Sequence, residues 1–403
     1  MKLFLFVATD DLSKIVNIYE EIILKSIYQL SSFTIVNFNN ILKKKNLVND
    51  QNNIYILKNK FGDKINYFNP RDKKEFLEYV QEYKIFAIDC LGKTINYFFI
   101  RKLINIKNIK LILIMNTGGV SNELSYSIDS FKGYTFKFIK RLNNLFYRFF
   151  VLIKLFPNIF IYFESRKDIY EYCIKNKKEK FSFFFPYLNI QYFENTYRIS
   201  SNSFDKYSKN KNILEEKKII FLDGNYKHQD IIDRENLNLN ELKKNYFEKI
   251  DKFFKWIDNI FDQKVEICLH PSSDVKEYKN FFKDRLVSKN FTSENIIKSF
   301  IVIFHESSSF IEALIYKKKI ISLDTNLLGK YMYSRISFYK EKLNLFSIKV
   351  DDYDNYKNYE RQDILTNMQF SIKNYEVFIN NYMKSNDDEL SADKIIRILK
   401  AYE

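Results

Sequence analysis

Short apolar runs of strand length alternate with longer stretches of helical periodicity along almost the whole chain, and this alternation constrains the fold more than any other feature of the sequence. In the first half the strand-like runs are residues 2–8, 33–38, 54–57, 85–89, 110–115 and 159–163, with 181–186 as a final one. Helical stretches at 12–30, 73–83 and 94–104 lie between them. A second series follows: runs at 218–222, 265–269, 300–304 and 319–323, with helices at 239–261 and 308–316. Strands that read as continuous apolar runs, each followed by a helix, predict α/β architecture with mostly parallel sheets covered on both faces.

The length of 403 residues suits two domains, each with its own core. The sequence predicts an N-terminal Rossmann-like domain over 1–190 and a linker over 191–217, where Asn, Ser, Lys and Tyr dominate. A C-terminal domain is expected over 218–362, and helices over 363–403 are expected to pack across the domains. The N-terminal apolar run meets Asp10-Asp11 at once, which reads as a core strand rather than a secretion signal. No stretch reaches membrane-spanning length. The nearest, residues 145–163, is broken by Arg148, Lys154, Pro157 and Asn158, and reads as a helix with a buried strand or as a basic aromatic helix on a membrane surface. Cys90, Cys173 and Cys268 show no paired spacing, so a reducing cytoplasm is expected, with peripheral contact at the inner face of the membrane. A net charge of +15 favours anionic partners.

The chain has 3 histidines, and two of them end apolar runs. One run closes on Cys268-Leu269-His270-Pro271-Ser272-Ser273, the other on Phe304-His305-Glu306-Ser307-Ser308-Ser309, with Glu312 one turn into the helix that follows. A third run, ending at Leu222, closes on Asp223-Gly224-Asn225. Ligands in open α/β sheets bind beyond the carboxyl ends of the strands. Imidazole, hydroxyl and helix-start N–H donors gathered there suit a phosphate.

An acidic-Gly turn, a His-Pro and a Ser-Ser pair in this order resemble bacterial sialyltransferases and related capsule or lipooligosaccharide transferases that use CMP-activated nonulosonic acids or Kdo. The resemblance covers about residues 219–323 and implies a GT-B fold, with two Rossmann-like domains facing a central cleft and acceptor binding in the first. It implies that His270 contacts the CMP phosphate, that Pro271 fixes its turn, and that Ser307, Ser308 and Ser309 donate to the same phosphate. Glu312 would accept the ribose hydroxyls or be an ordinary helix carboxylate; the serines would equally serve as an N-cap. Asp223 matches the family's last acidic position, the general base, but Leu222 stands where the family has another acidic residue. His228, Asp230 and Asp233 are therefore rival bases, and Asp223-Gly224-Asn225 is alternatively a plain turn. His305 and Glu306 line the site or hold its loop.

Elsewhere, Asn116-Thr117-Gly118-Gly119 follows a strong strand, and its paired glycines Gly118 and Gly119 with Thr117 suit close approach to a sugar. No Asp-x-Asp sits at a strand end, so metal-independent transfer is expected, with no cofactor beyond the CMP-sugar donor and with inversion by direct displacement assisted by a carboxylate base near Asp223. The acceptor would be a glycan, lipid-linked or free. Two rivals stand beside this reading. One is a CDP-alcohol phosphotransferase of the teichoic-acid polymerase kind. The other is a non-catalytic basic module for acidic glycan or nucleic acid, against which the dispersed lysines and the lack of any recognition-helix or zinc-knuckle pattern argue.

Overall fold

The computed structural model describes residues 2–9, 12–30, 33–42, 50–80, 85–90, 100, 104, 109–115, 159–175, 193–209, 216–227, 239–305, 307–329, 337 and 339–402. These fall into two compact units. The first holds the described residues before 117, those from 159 to 202 and those from 385 onward; the second holds those from 203 to 384.

In the first unit, β1 (Lys2–Val7), β2 (Phe33–Asn37), β3 (Ile65–Phe68), β4 (Ile85–Asp89), β5 (Lys110–Met115), β6 (Ile159–Glu164) and β7 (Phe193–Arg198) form a parallel sheet in the order β3-β2-β1-β4-β5-β6-β7. β1 pairs with β2 on one side and β4 on the other. Its alternating side chains feed two separate cores: Leu3, Leu5 and Val7 join one, Phe4 and Phe6 the other. A strand buried on both faces must be apolar at every position, which is why residues 3–7 read as an unbroken run. Helices α1 (Ser13–Gln29), α2 (Gln51–Phe61), α3 (Lys73–Tyr79) and α4 (Lys167–Lys175) belong to this unit.

The second unit repeats the plan. Strands β8 (Lys218–Leu222), β9 (Val265–Leu269), β10 (Val287–Lys289), β11 (Ser299–Phe304), β12 (Lys319–Asp324) and β13 (Phe346–Lys349) form a parallel sheet in the order β10-β9-β8-β11-β12-β13. Its helices include α5 (Leu239–Phe261), α6 (Val275–Phe281), α7 (Thr292–Lys298), α8 (Phe310–Ile315) and α9 (Arg361–Tyr382). The last helix, α10 (Ser391–Lys400), returns to the first unit, where Ile395, Ile396 and Leu399 join the same core as Val16 and Ile23 of α1. Among the described residues no helix is long and apolar enough to cross a membrane.

Both sheets grow outward from their first strand in both directions, so each has a switch point between its first and fourth strands: β1/β4 and β8/β11.

Several expectations are corrected. Residues 54–57 are not a strand but part of α2, where Asn53, Leu57 and Phe61 are buried at four-residue spacing while Tyr55 is 65% exposed. An apolar run of four residues does not by itself separate the two periods. The expected linker at 191–217 contains β7, which pairs with β6 from Ile159↔Phe193 to Glu164↔Arg198. It is an edge strand with half-exposed side chains, so it lacks the apolar run of its neighbours. Strands β3, β10 and β13 carry no such run either and were not expected. The runs expected at 94–104 and 181–186 lie outside the described residues, apart from Ile100 and Ile104.

Candidate functional site

β8 lies between β9 and β11, and the registers Leu222↔Cys268 and Phe304↔Leu222 bring the three strand ends level. Turns starting at His270, Asp223 and His305, in that spatial order, therefore leave the same edge of the sheet, with about 5 Å between neighbouring strands and about 10 Å between the His270 and His305 ends.

The turns after β8 and β9 are clasped by one carboxylate. Asp223 is 1% exposed. Its Oδ1 accepts from the Asn225 N–H at 3.0 Å and the Tyr278 hydroxyl at 2.8 Å. Its Oδ2 accepts from the Ser273 hydroxyl at 2.5 Å and the His270 N–H at 3.3 Å. Four donors fill the acceptor capacity of a carboxylate. In this arrangement Asp223 holds two turns in register, and proton abstraction by it would require some of these bonds to open. Burial, reinforced by the Asp223 charge, holds the Tyr278 and Tyr246 phenols well above their usual range, so both remain protonated donors.

A second carboxylate repeats the clasp farther out. Glu277 of α6 accepts from the Tyr226 hydroxyl at 2.8 Å and pairs with Lys227 at 2.8 Å and Lys243 at 2.7 Å. Burial pushes its carboxyl up, but the bonds from Lys227, Lys243 and Tyr226 outweigh that and leave it below the usual range.

His270 opens a β-turn closed by the Ser273 N–H on the His270 carbonyl at 2.9 Å, with Pro271 at the position where a fixed φ favours the turn. Asp274 caps α6 by accepting from the Lys276 N–H at 2.9 Å. A chain of donors then orients the imidazole. The Asn225 amide donates to the Ser272 hydroxyl at 2.7 Å, and that hydroxyl lies 2.7 Å from His270 Nδ1. The Ser272 N–H donates to the same Nδ1 at 3.2 Å. With Nδ1 accepting, the proton of the neutral ring sits on Nε2 as a donor. Asn225 takes a left-handed φ of 60°, a region that asparagine tolerates better than most residues.

His305, at the end of β11, is 1% exposed, and among the described residues its Nε2 has no hydrogen-bond partner. Burial pushes its imidazole down to about 4, with the Asp351 charge opposing weakly, so the ring is neutral. Tyr246 of α5 lies beside it with ring centroids 6.0 Å apart. Ser307, Ser308 and Ser309 then form the approach to α8, their carbonyls accepting from the N–H groups of Phe310, Ile311 and Glu312 at 3.2, 3.3 and 3.1 Å. Ser309 stands at the N-cap without a side-chain capping bond. Glu312 is 2% exposed and accepts from the Ser293 hydroxyl of α7 at 2.9 Å, which fastens α8 to α7. Burial raises its carboxyl above the usual range.

The structure thus brings Asp223, Gly224, Asn225, His270, Pro271, His305, Ser307, Ser308 and Ser309 to one edge, with Glu312 in the interior behind it. His228, Asp230, Glu306, Thr117, Gly118 and Gly119 lie outside the described residues. Sequence reasoning missed Ser273, Tyr278 and Glu277. Their one local signal was Asp274 ahead of a short helix, which places Glu277 and Tyr278 on its first turn. Among the described residues no three His, Cys, Asp or Glu side chains gather as metal ligands.

No protein-family model matches the sequence, and no curated protein matches it. Solved structures do. A Listeria monocytogenes protein assigned as a UDP-N-acetylglucosamine 2-epimerase is similar at 12% identity and a TM-score of 0.51, over 100% of this chain and 96% of its own. UGT71G1 of Medicago truncatula, solved with UDP-glucose, is similar at 9% identity and a TM-score of 0.50, over 99% of this chain and 98% of its own. At such identities the likeness is one of fold, and the fold is GT-B: two Rossmann-like α/β domains in one chain.

Proposed function

We propose that the chain is a glycosyltransferase that moves a sugar from a nucleotide donor to a hydroxyl of a glycan, and that the donor is a CMP-activated nonulosonic acid or Kdo. The observation that carries this reading is the clasped pair of turns beside the β8/β11 switch point. It holds His270 with its proton on Nε2, next to the serine approach to α8. A donor N–H held in place before the substrate arrives stabilises charge as the nucleotide phosphate departs, worth about 3 kcal/mol per donor. His270 and the hydroxyls of Ser307, Ser308 and Ser309 would share the phosphate. Asp223 positions the two turns, and the base that receives the acceptor proton would come from it or from His228, Asp230 or Asp233. Transfer would need no metal, and the acceptor would be a bacterial surface glycan, in the cytoplasm or at the inner membrane face.

A UDP-sugar donor is the second reading, favoured by the names of the two structural relatives. Thermal shift with CMP, CDP, UMP and UDP separates the readings. Stabilisation by CMP above the others is expected, while preference for UDP moves the protein to the second reading and preference for CDP to a CDP-alcohol phosphotransferase. His270→Ala should abolish the nucleotide shift and lower transfer about 100-fold. An unchanged shift in this variant would remove the site from the second unit.

A further inference from the structure

At the amino edge of the second sheet, opposite the His270 turn, lies a groove of about 340 Å³. Phe300 and Lys319, at the starts of β11 and β12, form one wall, and Leu365, Gln369, Phe370 and Lys373 of α9 form the other. Phe370 is 56% exposed, and Val377, two turns farther along α9, is 60% exposed. Each lysine lies over a ring of the groove: Lys319 Nζ is 4.2 Å from the Phe300 centroid and Lys373 Nζ is 5.5 Å from the Phe370 centroid. Among the described residues that line it, none is acidic.

Phe370 and Val377, seven residues apart on α9, form an exposed apolar strip beside Lys373, and the groove next to it is lined by Lys319 as well. We propose that this groove is where the second unit rests on an anionic lipid bilayer, with Phe370 and Val377 entering the acyl boundary and Lys319 and Lys373 meeting headgroup phosphates. Charge selects the occupant. Two ammonium groups held over aromatic faces, with no acidic residue among the described residues that line the groove, present positive charge to headgroup phosphates, and the chain as a whole carries +15. β11 is 6 residues long, so the groove and the His270 edge are about 20 Å apart, and lipid contact at one leaves the other open. The inference is independent of the donor reading.

The test is sedimentation of the full chain with phosphatidylcholine vesicles, with and without phosphatidylglycerol, at low ionic strength. Binding is expected only with the anionic lipid. Lys319→Gln/Lys373→Gln should weaken it about 30-fold, because each lysine near such a surface contributes about fivefold. Phe370→Ala should weaken it about fivefold. Lys58→Gln/Lys74→Gln, on exposed side chains of the first unit, removes the same charge and should change binding less than threefold. Equal losses in the two double variants would show unspecific charge attraction and overturn the proposal. So would absent binding, or binding to the neutral vesicles that the groove variants leave intact. Thermal melts establish that each variant is folded, which an exposed-site substitution should leave within a degree or two of the parent.

Discussion

The two sheets share a strand order, yet their carboxyl edges hold different chemistry. At the first, Asn37 donates to the Thr9 carbonyl at 2.8 Å and to the Tyr67 hydroxyl at 3.0 Å, and accepts from the Thr9 N–H at 3.2 Å. The Tyr67 hydroxyl donates to Asp50 at 2.6 Å, and the Asn69 amide donates to Asp50 at 2.8 Å. These amides and hydroxyls bond to one another across β1, β2 and β3. At the second edge the same kinds of polar group end on an imidazole whose Nδ1 is engaged and whose Nε2 carries the proton. Strand order decides where a ligand fits; among the described residues it is the second edge that ends on an imidazole with its Nδ1 engaged. Among the described residues, the first edge thus carries a polar lattice and the second the turn that is proposed to meet the donor.

The comparison is broken most sharply by removing the carboxylate from each edge. Asp223→Ala strands four donors in a site that is 1% exposed and should cost about 4 kcal/mol. Asp50→Ala, half-buried, should cost about 2 kcal/mol. Denaturant unfolding followed unit by unit measures both. Equal costs would mean that the clasp at the second edge is no stronger than the lattice at the first.

Acidity should push the two units in opposite directions. Burial raises the Glu164 carboxyl in β6 to about 7, against hydrogen bonds from the Tyr162 hydroxyl and the Arg166 N–H. Its folded form keeps a proton that the unfolded chain loses above about 4.5, so its contribution is greatest at low pH and is lost as pH rises toward 7. His305 behaves oppositely. Its folded pKa of about 4 lies below the unfolded value of 6.5, so stability is full above 6.5 and falls as pH drops toward 4. Each window corresponds to about 3 kcal/mol. Melts between pH 5 and pH 7 should show the first unit gaining and the second losing on acidification. Glu164→Gln should flatten the first trend, and His305→Asn the second; a trend that survives its substitution belongs to another group.

How far the sequence revealed these edges follows from burial. β8, β9 and β11 are apolar at nearly every position because helices cover both faces, and their limits were legible to within a residue. The strand-end positions of Asp223, His270 and His305 were legible for the same reason, since a polar residue directly after such a run falls at the strand end. β7 and β10 at the edges have one neighbour each and no continuous apolar run, so they were not legible. The clasp was hidden for a different reason: Asp223 meets Tyr278 at a sequence separation of 55, and no local pattern carries a contact that the sheet alone creates. Glu312 was legible as a carboxylate on a helix but not as a buried one, because its partner Ser293 belongs to another helix.

The smallest effect separates positioning from packing. Ser272 is exposed, so Ser272→Ala should leave stability within about 0.5 kcal/mol. It removes the hydroxyl that links Asn225 to His270 Nδ1 while the backbone N–H at 3.2 Å stays. With one of two tautomer-fixing contacts gone, turnover should fall about five- to tenfold, since a single neutral hydrogen bond contributes about 1 kcal/mol. Tyr67→Phe is its counterpart in the first unit: it removes a hydroxyl of similar standing, between Asn37 and Asp50, and should cost about 1 kcal/mol of stability with turnover unchanged. The pair reads out which network holds a reacting group and which only holds the fold. If Tyr67→Phe slowed turnover as much as Ser272→Ala, the first edge would have to touch substrate, and the division of labour between the two sheets would fail.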